Sequence, residues 1–244
     1  MSAPLFSVVV PAYNQHKFIN SCLTSLQLQT VTDFEVIVVD DCSTDDTGEQ
    51  IAALIAHDDR FKVVTHPRNL GVSAARNSGM AVASGKYLCF VDGDDWVEPD
   101  FLATFLAAYQ AAPKSQLVVC GHFGYLAVPS PAKTYTQKEL IANINFGTVG
   151  GFSWNKCFIR SIVTSHQLKF NEDINFLEDQ LFAFRYANYV QSAPYVPDKT
   201  YHYRWRFRSN LAHIGLPFFT ARRKMIKILK QENKQLLSED LNNQ

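Results

Sequence analysis

The run Tyr87-Leu88-Cys89-Phe90-Val91-Asp92-Gly93-Asp94-Asp95-Trp96 constrains the fold more than any other stretch of the chain. Its first five residues carry no charge and follow the break at Gly85, so they read as a buried strand. Three carboxylates come next, and unpaired carboxylates are too costly to keep in a dry interior. The strand therefore has to end at an open rim of its sheet, and in open α/β sheets ligands bind beyond the carboxyl ends of the strands. In an extended segment Asp92 and Asp94 point to the same side, with Gly93 between them leaving room for a ligand or an unusual backbone angle. Two carboxylates on one side suit a hard divalent cation, whose shell is usually completed by water and substrate phosphates. Helix capping accounts for one such Asp and poorly for three.

The residues before that junction repeat its logic. Phe6 to Val10 is a strand stopped by Pro11, and Phe18, Cys22, Leu23, Leu26 and Leu28 follow at near-helical spacing. Glu35 to Val39 is apolar on both faces, as in a parallel sheet covered by helices, and it too runs into acids, Asp40-Asp41. An acid at that point of a nucleotide-binding α/β half typically bonds ribose or base, although capping competes as the reason for both residues. Ser43 with Asp46 reads as the start of a helix carrying Ile51, Leu54 and Ile55. Phe61 to Thr65 is a third strand, and Ser73 to Ala83 an Ala-rich helix able to lie close to the sheet. Strand and helix alternating in this way imply βαβ units and a mostly parallel sheet. No GxGxxG is present, and Gly79 to Lys86 misses the GxxxxGK[ST] phosphate loop in both spacing and last residue. A bound diphosphate thus needs another counter-charge, which a carboxylate-held cation supplies.

Lys+Arg and Asp+Glu both number 23, so nothing biases the chain towards nucleic acid. None of the five cysteines forms a CxxC pair, which argues against a zinc site or disulfide framework and for a reduced, cytoplasmic setting. The first residues lead into a strand without a charged and apolar signal segment, and no apolar run approaches the ~20 residues that span a bilayer. The expected protein is soluble or at most peripheral on the inner face of a membrane.

Four ordered blocks carry a resemblance. Ser7-Val8-Val9-Val10-Pro11-Ala12-Tyr13-Asn14, Val38-Val39-Asp40-Asp41-Cys42-Ser43-Thr44-Asp45, Asn69-Leu70-Gly71-Val72-Ser73-Ala74-Ala75-Arg76-Asn77 and Phe90-Val91-Asp92-Gly93-Asp94-Asp95 resemble the family 2 glycosyltransferases. The resemblance implies a GT-A fold, a nucleotide-sugar donor, most simply a UDP-sugar, a divalent metal (Mn²⁺ or Mg²⁺) and an inverting reaction. By position, Pro11, Tyr13 and Asn14 would lie beside the nucleotide and Asp40 would contact base or ribose. Arg76 and Asn77 would face the donor pocket, though Arg76 also fits a helix-surface charge. Asp92, Gly93 and Asp94 would form the DxD block, with Asp92 and Asp94 on the metal and Asp95 an alternative metal or acceptor-sugar contact.

Beyond Trp96 the sequence predicts a helix over Asp100 to Ala111, a strand over Leu117 to Gly121, and a loop or hairpin from Gly121 to Thr136 with Pro129 and Pro131. Trp154-Asn155-Lys156 is similar to a WNK-like block on the acceptor side of the family, where the bland account is a packed Trp beside a solvated Lys. Glu178-Asp179 opens a helix, where acids are ordinary. It also resembles the family's ED motif, which implies Asp179 as general base beside Glu178. A base within about 3 Å of the acceptor hydroxyl and a cation on the departing phosphate are what an inverting displacement wants. Tyr201 to Ser209 resembles a Y-x-Y-R-x-R-x-x-S segment lying over the diphosphate, implying Arg204 and Arg206 on one face of a strand, with His202 as readily a packing residue.

Residues 1–212 are expected to form one transferase domain, with a nucleotide-sugar half at 1–112 and an acceptor half at 113–212. Residues 213–244 are a basic amphipathic helical tail, suited to packing on the domain, to a homodimer contact, or to an anionic membrane surface. The implied acceptor is a glycan or lipid-linked glycan. Two rivals stand beside this reading, a nucleotidyltransferase on a similar sheet and a silent sugar-nucleotide-binding subunit. The first should show a glycine-rich basic loop after the first strand, and Pro11 to Lys17 is not one. The second should have lost acids.

Overall fold

Phe6, Val8, Val10 and Ala12 alternate with Ser7 and Val9 along a fully buried first strand, so both of its faces must be covered. The computed structural model describes residues 3–124, 130–146, 149–174, 176–204, 220 and 222–231. In chain order the elements are β1 (Phe6–Ala12), α1 (Ile19–Gln27), β2 (Phe34–Asp40), α2 (Thr47–Ile55), β3 (Phe61–Thr65), α3 (Val72–Val82), β4 (Tyr87–Phe90) and β5 (Trp96–Val97). There follow α4 (Phe101–Ala111), β6 (Leu117–Phe123), β7 (Lys133–Tyr135), α5 (Gln137–Phe146), β8 (Lys156–Ile159), α6 (Arg160–Ser165), α7 (Glu178–Ala187) and β9 (Ala193–His202). The strands form one sheet in the order β3-β2-β1-β4-β8-β6-β9-β5, with β7 also paired to β9.

From β3 to β4 the sheet is parallel; past β4 it is mixed, because β8 runs antiparallel to both β4 and β6. One layer packs Val8, Val10, Val36 and Val38 under α1, α2 and α4, through Leu23, Leu26, Ile51, Phe101 and Phe105. The other packs Val9, Ile37 and Val39 under α3, and Leu88 and Phe90 near α7, through Ala75, Leu181 and Phe182. Each such side chain contributes about 1.5–3 kcal/mol by leaving water. α3 lies as close as its composition promises: a Cβ at Gly79 would sit 2.4 Å from Val9 Cγ1. The glycine spacing that imitates a phosphate loop thus serves helix–sheet contact.

Some expected boundaries move. Leu28 ends α1 and is 63% exposed, so it is not part of that helix's buried stripe. The stretch expected as a loop or hairpin after Gly121 extends β6 to Phe123 and later supplies β7, which pairs with β9. Within the tail, residues 222–231 are helical and lay Met225, Ile228 and Leu229 against the α3–α7 layer, while Lys224 Nζ donates to the Asp173 carbonyl. Its apolar side is therefore used within the chain; Leu236 and Leu237 lie outside the described residues. Among the described residues no helix is long and apolar enough to cross a membrane.

Candidate active site

The order β3-β2-β1-β4 reverses direction at β1, since the chain steps outward through β2 and β3 and returns by α3 to the other side. Such a switch point opens a crevice beyond the strand ends. The loops after β1, β2 and β4 meet there, together with the first turn of α7. Asn14 and Cys42 on the loops after β1 and β2, and Leu177 at the N-cap of α7, have φ of 52°, 61° and 65°. This left-handed backbone costs a residue with a Cβ about 1–2 kcal/mol, so the surroundings must hold it in place.

The β1 and β2 loops are locked to each other. Asn14 Oδ1 accepts from Thr44 N–H (2.8 Å) and its own N–H donates to Ser43 Oγ (3.1 Å). Ser43 in turn donates through N–H (3.0 Å) and Oγ (2.6 Å) to Asp40 Oδ1. This corrects the expected helix start: Ser43 turns to Asp40, and Asp45 Oδ1 accepts instead from Thr47 N–H (3.0 Å) at the beginning of α2. Asp41 is buried and accepts from Leu70 N–H (2.8 Å) and Gly71 N–H (2.7 Å), and its Oδ1 lies 2.6 Å from His66 Nδ1. Tyr13, next to Pro11, is 42% exposed at the same rim.

After β4 the chain does not stay extended. Asp95 N–H donates to the Asp92 carbonyl (2.9 Å), so Asp92 to Asp95 is a tight turn and the expected two-residue alternation of Asp92 and Asp94 does not apply. The turn is held against β1 by Gly93 N–H on Pro11 O, and a Cβ at Gly93 would come within 2.9 Å of that oxygen. Asp95 turns inward, accepting from Tyr201 Oη (2.6 Å) and Arg204 N–H (2.7 Å). Burial, and then the charges of Asp92 and Asp94, push its carboxyl up to about 8. Arg204 lies past the end of β9, not on a strand face as expected. Its guanidinium sits 4.5 Å from the Trp96 ring centroid and 4.8 Å from that of Phe18, with Nε donating to Asp94 O (2.8 Å). Arg206 lies outside the described residues. His202 packs, stacked between Trp96 and Phe123.

Arg76 joins this turn to α7. It is 3% exposed, which excludes a helix-surface charge. Nη2 donates to Asp92 Oδ1 (2.8 Å), while Nη1 donates to Asp179 Oδ1 (2.7 Å) and Glu178 Oε1 (3.0 Å). These three carboxylates hold the guanidinium charged, well above its ordinary range. Asp179 Oδ2 accepts from Ser153 N–H (3.3 Å). Burial, opposed by Arg76 and aided by the Glu178 and Asp92 charges, pushes Asp179 up to about 7.

Asn77, expected in the donor pocket, instead clamps Phe170: its Oδ1 accepts from Phe170 N–H (2.9 Å) and its Nδ2 donates to Phe170 O (3.0 Å). The four residues expected to meet the acceptor, Asp95, Trp154, Asn155 and Lys156, are all 2% exposed or less, so their side chains support a wall and do not line it. Lys156 in particular is not solvated: its Nζ reaches the carbonyls of Val149, Gly150 and Phe152. The contributions of Ser153 and Tyr201 are invisible in sequence, since each reaches its acid across 26 or 106 residues through an ordinary polar group.

Residues 7–164 match the model of glycosyl transferase family 2. The chain belongs to that family. Among family members, EpsH of Bacillus subtilis, named as a glycosyltransferase, is 34% identical over 257 aligned positions, covering 97% of this chain and 72% of EpsH. TarS of Staphylococcus aureus, a poly(ribitol-phosphate) beta-N-acetylglucosaminyltransferase, is 32% identical over 203 positions, covering 81% of this chain and 35% of TarS. The crystal structure of TarS 1–349 with UDP-GlcNAc superimposes with a TM-score of 0.76 at 26% identity, covering 91% of this chain and 65% of that one. This family 2 chain thus has a GT-A type sheet and spans about two thirds of the solved TarS fragment.

Proposed function

We propose that this glycosyltransferase is inverting and moves a sugar from a nucleotide sugar, most directly a UDP-sugar, to a hydroxyl of a glycan or lipid-linked glycan, as in cell-surface polysaccharide synthesis. The donor assignment is supported by the likeness to a structure holding UDP-GlcNAc. The observation that carries the mechanism is one buried guanidinium gripping both Asp92 and Asp179. It brings the two acid centres that an inverting displacement needs, one per end of the reaction, into a single crevice.

A divalent cation fits the rim. Asp92 and Asp94 raise Asp95 by their own charge, so the turn carries negative charge that a cation would offset. Among the described residues no cluster of three or more His, Cys, Asp or Glu surrounds one point. A cation there would complete its shell with water and phosphate oxygens, as Mg²⁺ and Mn²⁺ sites commonly do. Asp92 and Asp94 would hold Mn²⁺ or Mg²⁺, which would supply neutralisation of the leaving diphosphate.

The chain's own residues do the rest. Residues 1–112 form the donor half, where the strand ends at Pro11 and Asp40 and the locked loops beyond them, with Tyr13 and Asn14, receive the nucleoside. Arg204 stands beside the Asp94–Asp95 turn as counter-charge for the diphosphate. On the opposite side Asp179 accepts the proton of the acceptor hydroxyl as its oxygen bonds to the anomeric carbon and the bond to the diphosphate breaks. A carboxylate raised to about 7 is a better base at neutral pH than an ordinary one.

The test is release of nucleoside diphosphate from a panel of UDP-GlcNAc, UDP-Glc, UDP-Gal and GDP-Man, first with water and then with glycan acceptors. Since only ionised Asp179 accepts a proton, the rate should rise with pH to a plateau above about 7 and fall about tenfold per unit below it. Asp179→Asn should lower turnover by about 10²–10⁴ while UDP binding with Mn²⁺ persists. Near-normal turnover in that variant removes the base assignment, and an inert wild-type chain removes the transferase reading.

A further inference from the structure

Lys156 is a buried ammonium that the mechanism above does not use. It opens β8, which lies between β4 and β6 in the sheet, and it is 0% exposed. Nζ lies 2.9 Å from Val149 O, 2.9 Å from Gly150 O, 2.6 Å from Phe152 O and 2.9 Å from Asn155 Oδ1. An ammonium has three hydrogens, so every donor is engaged and one is shared. Burial pulls it down to about 7, against which the Asp179 charge works. An apolar side chain would fill the same space without that desolvation. What the ammonium does that an apolar group cannot is gather three carbonyls of one short loop.

That loop rests directly on the first turn of α7. A Cβ at Gly151 would lie 2.7 Å from Gln180 Cβ and 3.0 Å from its Cα, so only glycine permits the approach. Gly150 has φ 58°, the left-handed turn that aims the next residues at α7. Three residues later Ser153 N–H reaches Asp179 Oδ2. At the other end Asn155 is tied to β6, its carbonyl accepting from Cys120 N–H (2.9 Å).

The geometry points to Lys156 as a positioning residue for the proposed base: from a rigid strand, it holds the 149–153 loop in the shape that presents the Ser153 amide to Asp179. Asp179 is then fixed at both oxygens, by Arg76 on one side and by this loop on the other. The inference rests on the reading of Asp179 as base. Lys156 touches neither reactant and acts only through the loop.

Two variants test it, each assayed with the panel sugar nucleotide that wild type hydrolyses fastest. Lys156→Met keeps an unbranched side chain one atom shorter and removes the charge, while Gly151→Ala lifts the loop off Gln180 and leaves Lys156 intact. Misplacing a reacting group by about 1 Å costs about 10²-fold, so both should lose about that factor in kcat, with KM and the UDP Kd within about twofold of wild type. Hydrogen exchange over 149–156 should speed up in Lys156→Met. Unchanged kcat in both variants overturns the inference, as does a loss of UDP affinity that parallels the loss of kcat. Asp179→Asn, run alongside, separates the failures: if it stays active, the base reading itself has failed; if it is dead while the loop variants are normal, only the role of Lys156 has.

Discussion

The ends of β2 and β4 look alike in sequence, each an apolar strand running into carboxylates, yet they are built for opposite ends. At β2, Asp40 and Asp41 are satisfied by near neighbours: Ser43, the Leu70 and Gly71 amides, and His66. Asp41 is engaged at both oxygens and shapes the loops around it, while Asp40 holds Ser43 through one oxygen. At β4, Asp92, Asp94 and Asp95 crowd into one turn, with enough like charge to push Asp95 up to about 8, and Asp92 draws its cation from α3. Asp92 and Asp95 are met from afar, by Arg76 on α3 and by Tyr201 and Arg204 at the end of β9. What separates the two strand ends is where the partners come from: adjacent loops at β2, and α3 and the end of β9 at β4.

The largest effect that would sharpen this contrast belongs to Arg76→Met. Three carboxylates would lose their shared partner, which should cost about 3–5 kcal/mol by denaturant unfolding and abolish turnover together. If stability is unchanged, the carboxylates are compensated elsewhere and Arg76 does not carry the charge balance at β4. Next, Asp41→Ala strands two backbone amides and His66, with an expected loss of about 2–4 kcal/mol but turnover per folded molecule close to normal. Asp94→Asn should reduce the cation-dependent part of UDP affinity about 10–100-fold, by calorimetry with and without Mn²⁺. Equal UDP affinity with and without the cation in both wild type and Asp94→Asn would remove the metal from the account.

Much of the parallel half was legible because β1, β2 and β4 are largely apolar and breaks fall at Gly71 and Gly85, although β1 runs through Pro11 to Ala12 and does not stop at the proline. The mixed half was not. β9 contains Pro194, Pro197 and charged Asp198 and Lys199, which argue against a strand from local pattern alone. It pairs with β6 through a register shift at Gly121, where a Cβ would meet Pro197 O at 2.6 Å. β8 is four residues long and begins with a lysine, which reads as surface until its carbonyl partners are seen. The extended geometry expected of Asp92 and Asp94 failed because a backbone hydrogen bond across Gly93 closes a turn there.

The sequence by itself determined the βαβ rhythm, the acid-tipped strands and the family, because periodicity and ordered local blocks are short-range properties. Only the tertiary structure decided which acids are compensated and by what. Arg76 meets Glu178 and Asp179 across 102 and 103 residues, and Tyr201 meets Asp95 across 106. Charge and burial at a site depend on which segments the fold brings together, and a side chain's sign in the sequence does not name its partner.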